Sequence, residues 1–182
     1  VYVLALLCSQ TLDVLAHKCQ VIVIFSLKTA RCDDLNLQSI PKDLDRDIKV
    51  LSFAGNGLTY LGVDSFKRYL SLQEIYLVEN HVHSISPDAF RGLRNLQILD
   101  LEGNRLKHIP SPSFKHLSSV RSLSLKGNPI SYITDDSLDF LPNIEELIFE
   151  NCWLKRIDPG AFHGLEKLQE VNIVNNELTT LD

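Results

Sequence analysis

The chain has 182 residues, room for one ordinary domain or a short repeat array, and 45% of them are hydrophobic, which excludes wholesale disorder. Its formal net charge is −5 and its isoelectric point is near 5.7, opposite in sign to the balance of a protein that wraps nucleic acid.

Residues 1–16, VYVLALLCSQTLDVLA, open with the apolar run Val1–Cys8 and close on Val14-Leu15-Ala16 before the polar pair His17-Lys18. An apolar run that ends on small residues ahead of a polar step has the form of a signal-peptidase site, so we read a signal peptide whose basic start is missing. A buried strand or helix is the structural alternative. A membrane helix here would carry Asp13, His17 and Lys18 into lipid. Each such charge costs about 2.5–3.5 kcal/mol, which rejects that reading. Residues 17–47 follow, with Cys19, Cys32 and the apolar stretch Val21–Phe25, and they precede the periodic part of the chain.

From residue 48 the sequence repeats itself. The pattern L-x-x-L-x-L-x-x-N-x-L, with other apolar residues allowed for Leu, fits IKVLSFAGNGL (48–58), LQEIYLVENHV (72–82), LQILDLEGNRL (96–106), VRSLSLKGNPI (120–130), IEELIFENCWL (144–154) and LQEVNIVNNEL (168–178). The starts keep a spacing of 24 with no insertion, a register that chance does not hold over five steps. Six units are therefore expected at 48–71, 72–95, 96–119, 120–143, 144–167 and an incomplete 168–182.

Each position has a physical task. The apolar first, fourth and sixth positions point inward from a short strand and its entry. Stacked strands pair in parallel about 4.8 Å apart. The ninth position forms a ladder, Asn56, Asn80, Asn104, Asn128, Cys152 and Asn176, where the chain turns out of the strand and its backbone groups need a compact side-chain partner. A thiol is a weaker donor than an amide but fits the slot, so Cys152 reads as a rung of the ladder before it reads as a reactive thiol. Position 19 carries Phe66, Phe90, Phe114, Leu138 and Phe162, and position 14 carries Leu61, Ile85, Ile109, Ile133, Ile157 and Leu181. No repeat buries these faces alone; stacking gives one continuous core.

This pattern resembles the extracellular, 24-residue class of leucine-rich-repeat proteins, over residues from about 30 to the end. The implied fold is an α/β, right-handed solenoid with a parallel sheet on its concave face and a mostly irregular convex side. Cys32-Asp-Asp-Leu35-Asn-Leu37-Gln-Ser-Ile40-Pro41 is similar to the cysteine-rich N-terminal cap of that class, with Cys32 at an inward position. The resemblance implies a Cys19–Cys32 disulfide, which would stabilise by about 3 kcal/mol on chain-entropy grounds. Such caps usually carry four cysteines in a tight cluster, where this chain has Val21-Ile22-Val23-Ile24-Phe25. At the other end Leu168, Val171, Ile173, Leu178 and Leu181 would present an uncovered apolar surface, so the chain is read as truncated there too.

Within the class, the segments from Phe66 to Leu77 and from Ser84 to Leu101 look like the ectodomains of leucine-rich-repeat G-protein-coupled hormone receptors, relaxin-type receptors included. That likeness implies a secreted peptide or protein ligand and a membrane domain beyond residue 182. A secreted matrix or adhesion protein, such as a small leucine-rich proteoglycan, is the alternative. An enzyme with an appended repeat array is a third reading, and it would need a catalytic domain elsewhere.

The residues themselves show no catalytic constellation, no phosphate-cradling glycine loop and no Cys-x-x-Cys. His81 and His83, two apart, lack an obvious third metal ligand and read as solvent-facing loop residues. No cofactor is implied. The concave face, at positions 2, 3, 5, 7 and 8, holds eight carboxylates against the cations Lys49, Arg121 and Lys126. The candidate ligand-binding residues are Glu74, Tyr76, Ile98, Asp100, Glu102, Glu146, Ile148 and Glu150. Carboxylates around an aromatic anchor suit a basic, partly apolar peptide or protein, and not nucleic acid. A solvated acidic strand face is the structural alternative. Trp153, at position 10, is either an anchor at the rim or a cover for the neighbouring loop.

Overall fold

The structure is a computed structural model that describes residues 18–179. The signal-peptide segment 1–16 and Leu181 of the position-14 column lie outside the described residues.

One eight-stranded sheet runs the length of the molecule in the order β1-β2-β3-β5-β7-β8-β10-β12. Its strands are β1 (Gln20–Ile24), β2 (Leu27–Arg31), β3 (Val50–Ser52), β5 (Glu74–Tyr76), β7 (Ile98–Asp100), β8 (Ser122–Ser124), β10 (Glu146–Ile148) and β12 (Glu170–Asn172). From β2 onward every pairing is parallel, and from β3 onward partners lie 24 residues apart, as in Leu51↔Ile75↔Leu99↔Leu123↔Leu147↔Val171. From β3 onward each strand of this sheet is only three residues long because one inward side chain is enough. Leu51, Ile75, Leu99, Leu123 and Leu147 are buried, while their neighbours on either side face the concave surface.

At the amino-terminal end, β1 and β2 form an antiparallel hairpin, and β2 then supplies the first strand of the parallel array. The hairpin turns on Phe25 and Ser26, both left-handed, with φ of 47° and 68°. That geometry suits a two-residue turn between twisted strands. The Val21–Phe25 stretch, a departure from the usual cap at the level of sequence, is thus the edge strand of the main sheet and its turn. Val23 and Phe25 are exposed. A disulfide joins Cys19 to Cys32, and Cys32 is fully buried at its inward position.

The chain returns along the convex side with little regular structure. Among the described residues there is no α-helix. A 3-10 helix at Ser111–His116 and two small parallel ribbons break the irregularity: β4 (Tyr60–Leu61) with β6 (Ser84–Ile85), and β9 (Tyr132–Ile133) with β11 (Arg156–Ile157). The position-19 column fills the interior behind the sheet. Phe66, Phe90, Phe114 and Leu138 are buried, and the Phe66 and Phe90 rings stack with centroids 5.6 Å apart. Phe162, Leu168, Val171, Ile173 and Leu178, in the last two repeats, are only partly covered. No helix among the described residues is long and apolar enough to cross a membrane.

Candidate binding face on the concave sheet

The turn that leaves each strand sets the orientation of everything on the concave side. Asn104 shows how. Its Nδ2 donates to the carbonyls of Leu77 (2.9 Å) and Leu101 (3.0 Å), and its Oδ1 accepts the Val82 amide at 2.9 Å. One side chain therefore ties its own turn to the previous repeat. Asn56, Asn80, Asn128 and Asn176 make the same set of bonds. At Cys152 the donor survives, Sγ to the Leu125 carbonyl at 3.3 Å, but the acceptor does not. The Ile130 amide, which would meet an asparagine oxygen, bonds instead to the Asn128 carbonyl at 2.8 Å. Burial pushes the Cys152 thiol up, away from thiolate chemistry.

Held this way, the outward side chains of β5, β7, β8, β10 and β12 border a shallow cavity of about 320 Å³. It brings together six of the eight candidate residues: Tyr76, Ile98, Asp100, Glu102, Ile148 and Glu150. Leu99, Ser122, Ser124, Lys126 and Asn172 complete the lining. Glu74 and Glu146 are not among the lining residues. Glu74 accepts the Tyr76 hydroxyl at 2.9 Å, and Glu146 accepts Ser122 Oγ at 2.6 Å.

The electrostatics are less one-sided than the residue count. Lys126 stands between Glu102 (3.5 Å) and Glu150 (3.7 Å), so one cation holds two carboxylates of the same column. Arg121 pairs with Glu145 at 2.9 Å at the strand entry. Asp100 accepts the Glu102 amide at 2.9 Å. Burial nevertheless raises its carboxyl above the ordinary range, with the Glu102 charge adding to the effect. The Tyr76 hydroxyl is pushed up to about 12, first by burial and then by its bond to Glu74, so it stays a proton donor. The arrangement offers partly desolvated carboxylate oxygens beside two apolar side chains and one aromatic ring.

Two features escaped the sequence reading. Lys126 bridges two acids because columns stack in register, a relation visible once position 7 is written down the repeats as Glu102, Lys126, Glu150. The flank at positions 10, 12 and 13, where His81, His83 and Trp153 are all exposed, had the same signal in its columns. Trp153 is 60% exposed on this flank. Among the described residues no group of three or more His, Cys, Asp or Glu is placed to hold a metal ion.

Profiles of two families match, "Leucine rich repeat" over residues 46–106 and 94–154 and "BspA type Leucine rich repeat region" over 133–182. The chain belongs to the leucine-rich-repeat family. Among leucine-rich-repeat relatives, leucine-rich repeat-containing protein 3 of Danio rerio is 34% identical over 68 residues, 37% of this chain and 26% of that protein. Toll-like receptor 2 of Macaca fascicularis is 34% identical over 58 residues, 32% of this chain and 7% of the receptor. Toll-like receptor 4 of Felis catus is 36% identical over 67 residues, 37% of this chain and 8% of the receptor. The solved structure of a TLR13–ssRNA13 complex superposes with a TM-score of 0.81 at 26% identity, covering 91% of this chain and 24% of that one. The chain thus spans about a quarter or less of the length of these leucine-rich-repeat proteins.

Proposed function

We propose that this chain is a recognition scaffold, the ligand-binding part of a cell-surface receptor, and that it captures a basic peptide or protein on its concave face. Leucine-rich-repeat proteins and the Toll-like relatives are generally recognition proteins and not enzymes. The Cys19–Cys32 disulfide suits an oxidising, extracellular setting. The observation that carries the ligand class is the cavity on β5–β12, where Asp100, Glu102 and Glu150 surround Tyr76, Ile98 and Ile148. An arginine or lysine of the ligand would displace Lys126 from its two carboxylates and reach Asp100, while the apolar residues seat the adjoining side chain. The likeness to relaxin-type hormone receptors supports the receptor form of this reading. A secreted matrix or adhesion protein would use the same face.

A nucleic-acid ligand is a second reading, prompted by the single-stranded RNA in the TLR13 complex. The carboxylate surplus weighs against it on the concave face, since phosphates would meet Asp100, Glu102 and Glu150. The test is binding of a short cationic amphipathic peptide to the chain and to two charge-reversal variants. Asp100→Lys/Glu102→Lys should weaken capture at least tenfold and flatten its salt dependence. Arg91→Glu/Arg94→Glu, on the far side of the solenoid, should leave both unchanged. Equal losses from the two pairs would remove the concave assignment.

A further inference from the structure

Where the chain climbs away from the sheet, successive repeats are tied backbone to backbone. The amides of His81, His83, Arg105, Trp153 and Lys155 donate to the carbonyls of Leu58, Thr59, Val82, Ile130 and Ser131, each one repeat earlier. The β4–β6 and β9–β11 ribbons continue this register. Positions 10, 12 and 13 therefore form straight columns on a stiff flank. None of the fifteen residues in those columns over the first five repeats is Asp or Glu. Seven of them are His81, His83, Arg105, Lys107, His108, Lys155 and Arg156, all exposed. Lys155 and Arg156 are paired, with Glu177 at 3.7 Å, which is position 10 of the sixth repeat, and with Asp158 at 2.9 Å, just outside the columns. Among the described residues no carboxylate lies within ion-pair distance of Arg105 or Lys107.

We propose that this flank binds a linear sulfated polysaccharide. Arg105 and Lys107, unpaired on a rigid strip that carries no carboxylate over its first five repeats, favour a polyanion, and the acidic concave sheet confines such a ligand to the side of the solenoid. The centre of the strip decides the class. Its second and third repeats hold His81, His83, Arg105, Lys107 and His108, with no Phe, Tyr or Trp among them. A single-stranded nucleic acid site interleaves rings with cations so that bases can stack. Here the large tyrosine and tryptophan rings lie outside that centre, and the face of Tyr132 is already covered by the Arg156 guanidinium at 5.8 Å. A reader of charge alone matches sulfate. The opposite flank has free cations too, Arg91 and Arg94 among them. Its turns, however, are closed by backbone bonds within their own repeat, such as Arg91 to Asp88 and Leu93 to Phe90, and its column 20 is broken by Asp139.

The probe is heparin. Affinity for immobilised heparin is measured across a salt series for the protein, for Arg105→Ser/Lys107→Ser and for Arg91→Ser/Arg94→Ser. All four positions are exposed, and circular dichroism checks that each variant is folded. The first pair should lower the slope of log affinity against log salt by roughly 1.4–1.8, at about 0.7–0.9 per lost ionic contact. The second pair should leave the slope as it was. Absence of heparin binding, or equal or larger losses from the Arg91/Arg94 pair, would overturn the proposal. A single-stranded oligonucleotide that binds more tightly than heparin at the same salt would reassign the flank to nucleic acid. The Asp100→Lys/Glu102→Lys variant should retain heparin, so the two surfaces can fail independently.

Discussion

Asn104 and Asp100 sit four residues apart in one repeat, the first turned into the solenoid and the second onto its concave surface. Both are polar and both are largely removed from water. Asn104 is fully bonded within the fold, to Leu77, Leu101, Glu102 and Val82. Among the described residues no buried side-chain nitrogen or oxygen lacks a partner. Asp100 is desolvated without full compensation: one amide bond at 2.9 Å, a serine and a lysine nearby, and a raised carboxyl. The difference separates structure from function. A saturated buried group fixes the chain, whereas an incompletely satisfied one at a cavity rim keeps interaction energy in reserve for a ligand.

The comparison breaks first at the ladder. Replacing Asn104 with Ala should cost about 2–4 kcal/mol in urea unfolding, because the buried Val82 amide loses its partner and the Leu77 and Leu101 carbonyls each lose one of two asparagine donors. A loss below about 1 kcal/mol would mean water enters the turn, and the contrast with Asp100 would collapse.

A smaller effect sharpens the other side. Because burial raises Asp100 above the ordinary aspartate value of 3.8, it takes up its proton at a higher pH than an exposed carboxylate. A cationic peptide prefers the ionised form, so capture should weaken as pH falls through the window just above 3.8, and Asp100→Asn should remove that dependence. Stability carries the opposite sign. The folded state gains as pH falls through the same window and loses that contribution as pH rises through the raised value. Peptide titrations and thermal melts at matched pH read the two signs separately.

The smallest effect is expected at the imperfect rung. Cys152→Asn would restore the missing acceptor for the Ile130 amide and should stabilise by about 0.5–1 kcal/mol, read as a shift in urea midpoint with unchanged slope. Destabilisation would show that the slot between β8 and β10 is shaped for sulfur.

Much of this was legible before any coordinates. A spacing of 24 assigns Leu99 to the interior, Asn104 to the turn and Asp100 to the surface, because each repeat can bury its apolar residues only against its neighbours. The hairpin was not. Val21-Ile22-Val23-Ile24-Phe25 has no period of its own, and its pairing depends on β2 being claimed by β3. Nor was the sharing of Lys126, since an ion pair between columns depends on how far each side chain extends once the strands are stacked. The carboxylate surplus was legible, but its partial internal neutralisation was not.

The constant interval between bonded partners also governs how such a chain comes together. In most parallel sheets, closing distant strands grows costlier as intervening segments lengthen. Here Leu51 meets Ile75 across the same stretch of chain that separates Leu123 from Leu147. From β3 onward no pairing waits for a longer loop to close than any other. Assembly can start at whichever adjacent pair forms first and spread in both directions, like a zip with many possible starting teeth.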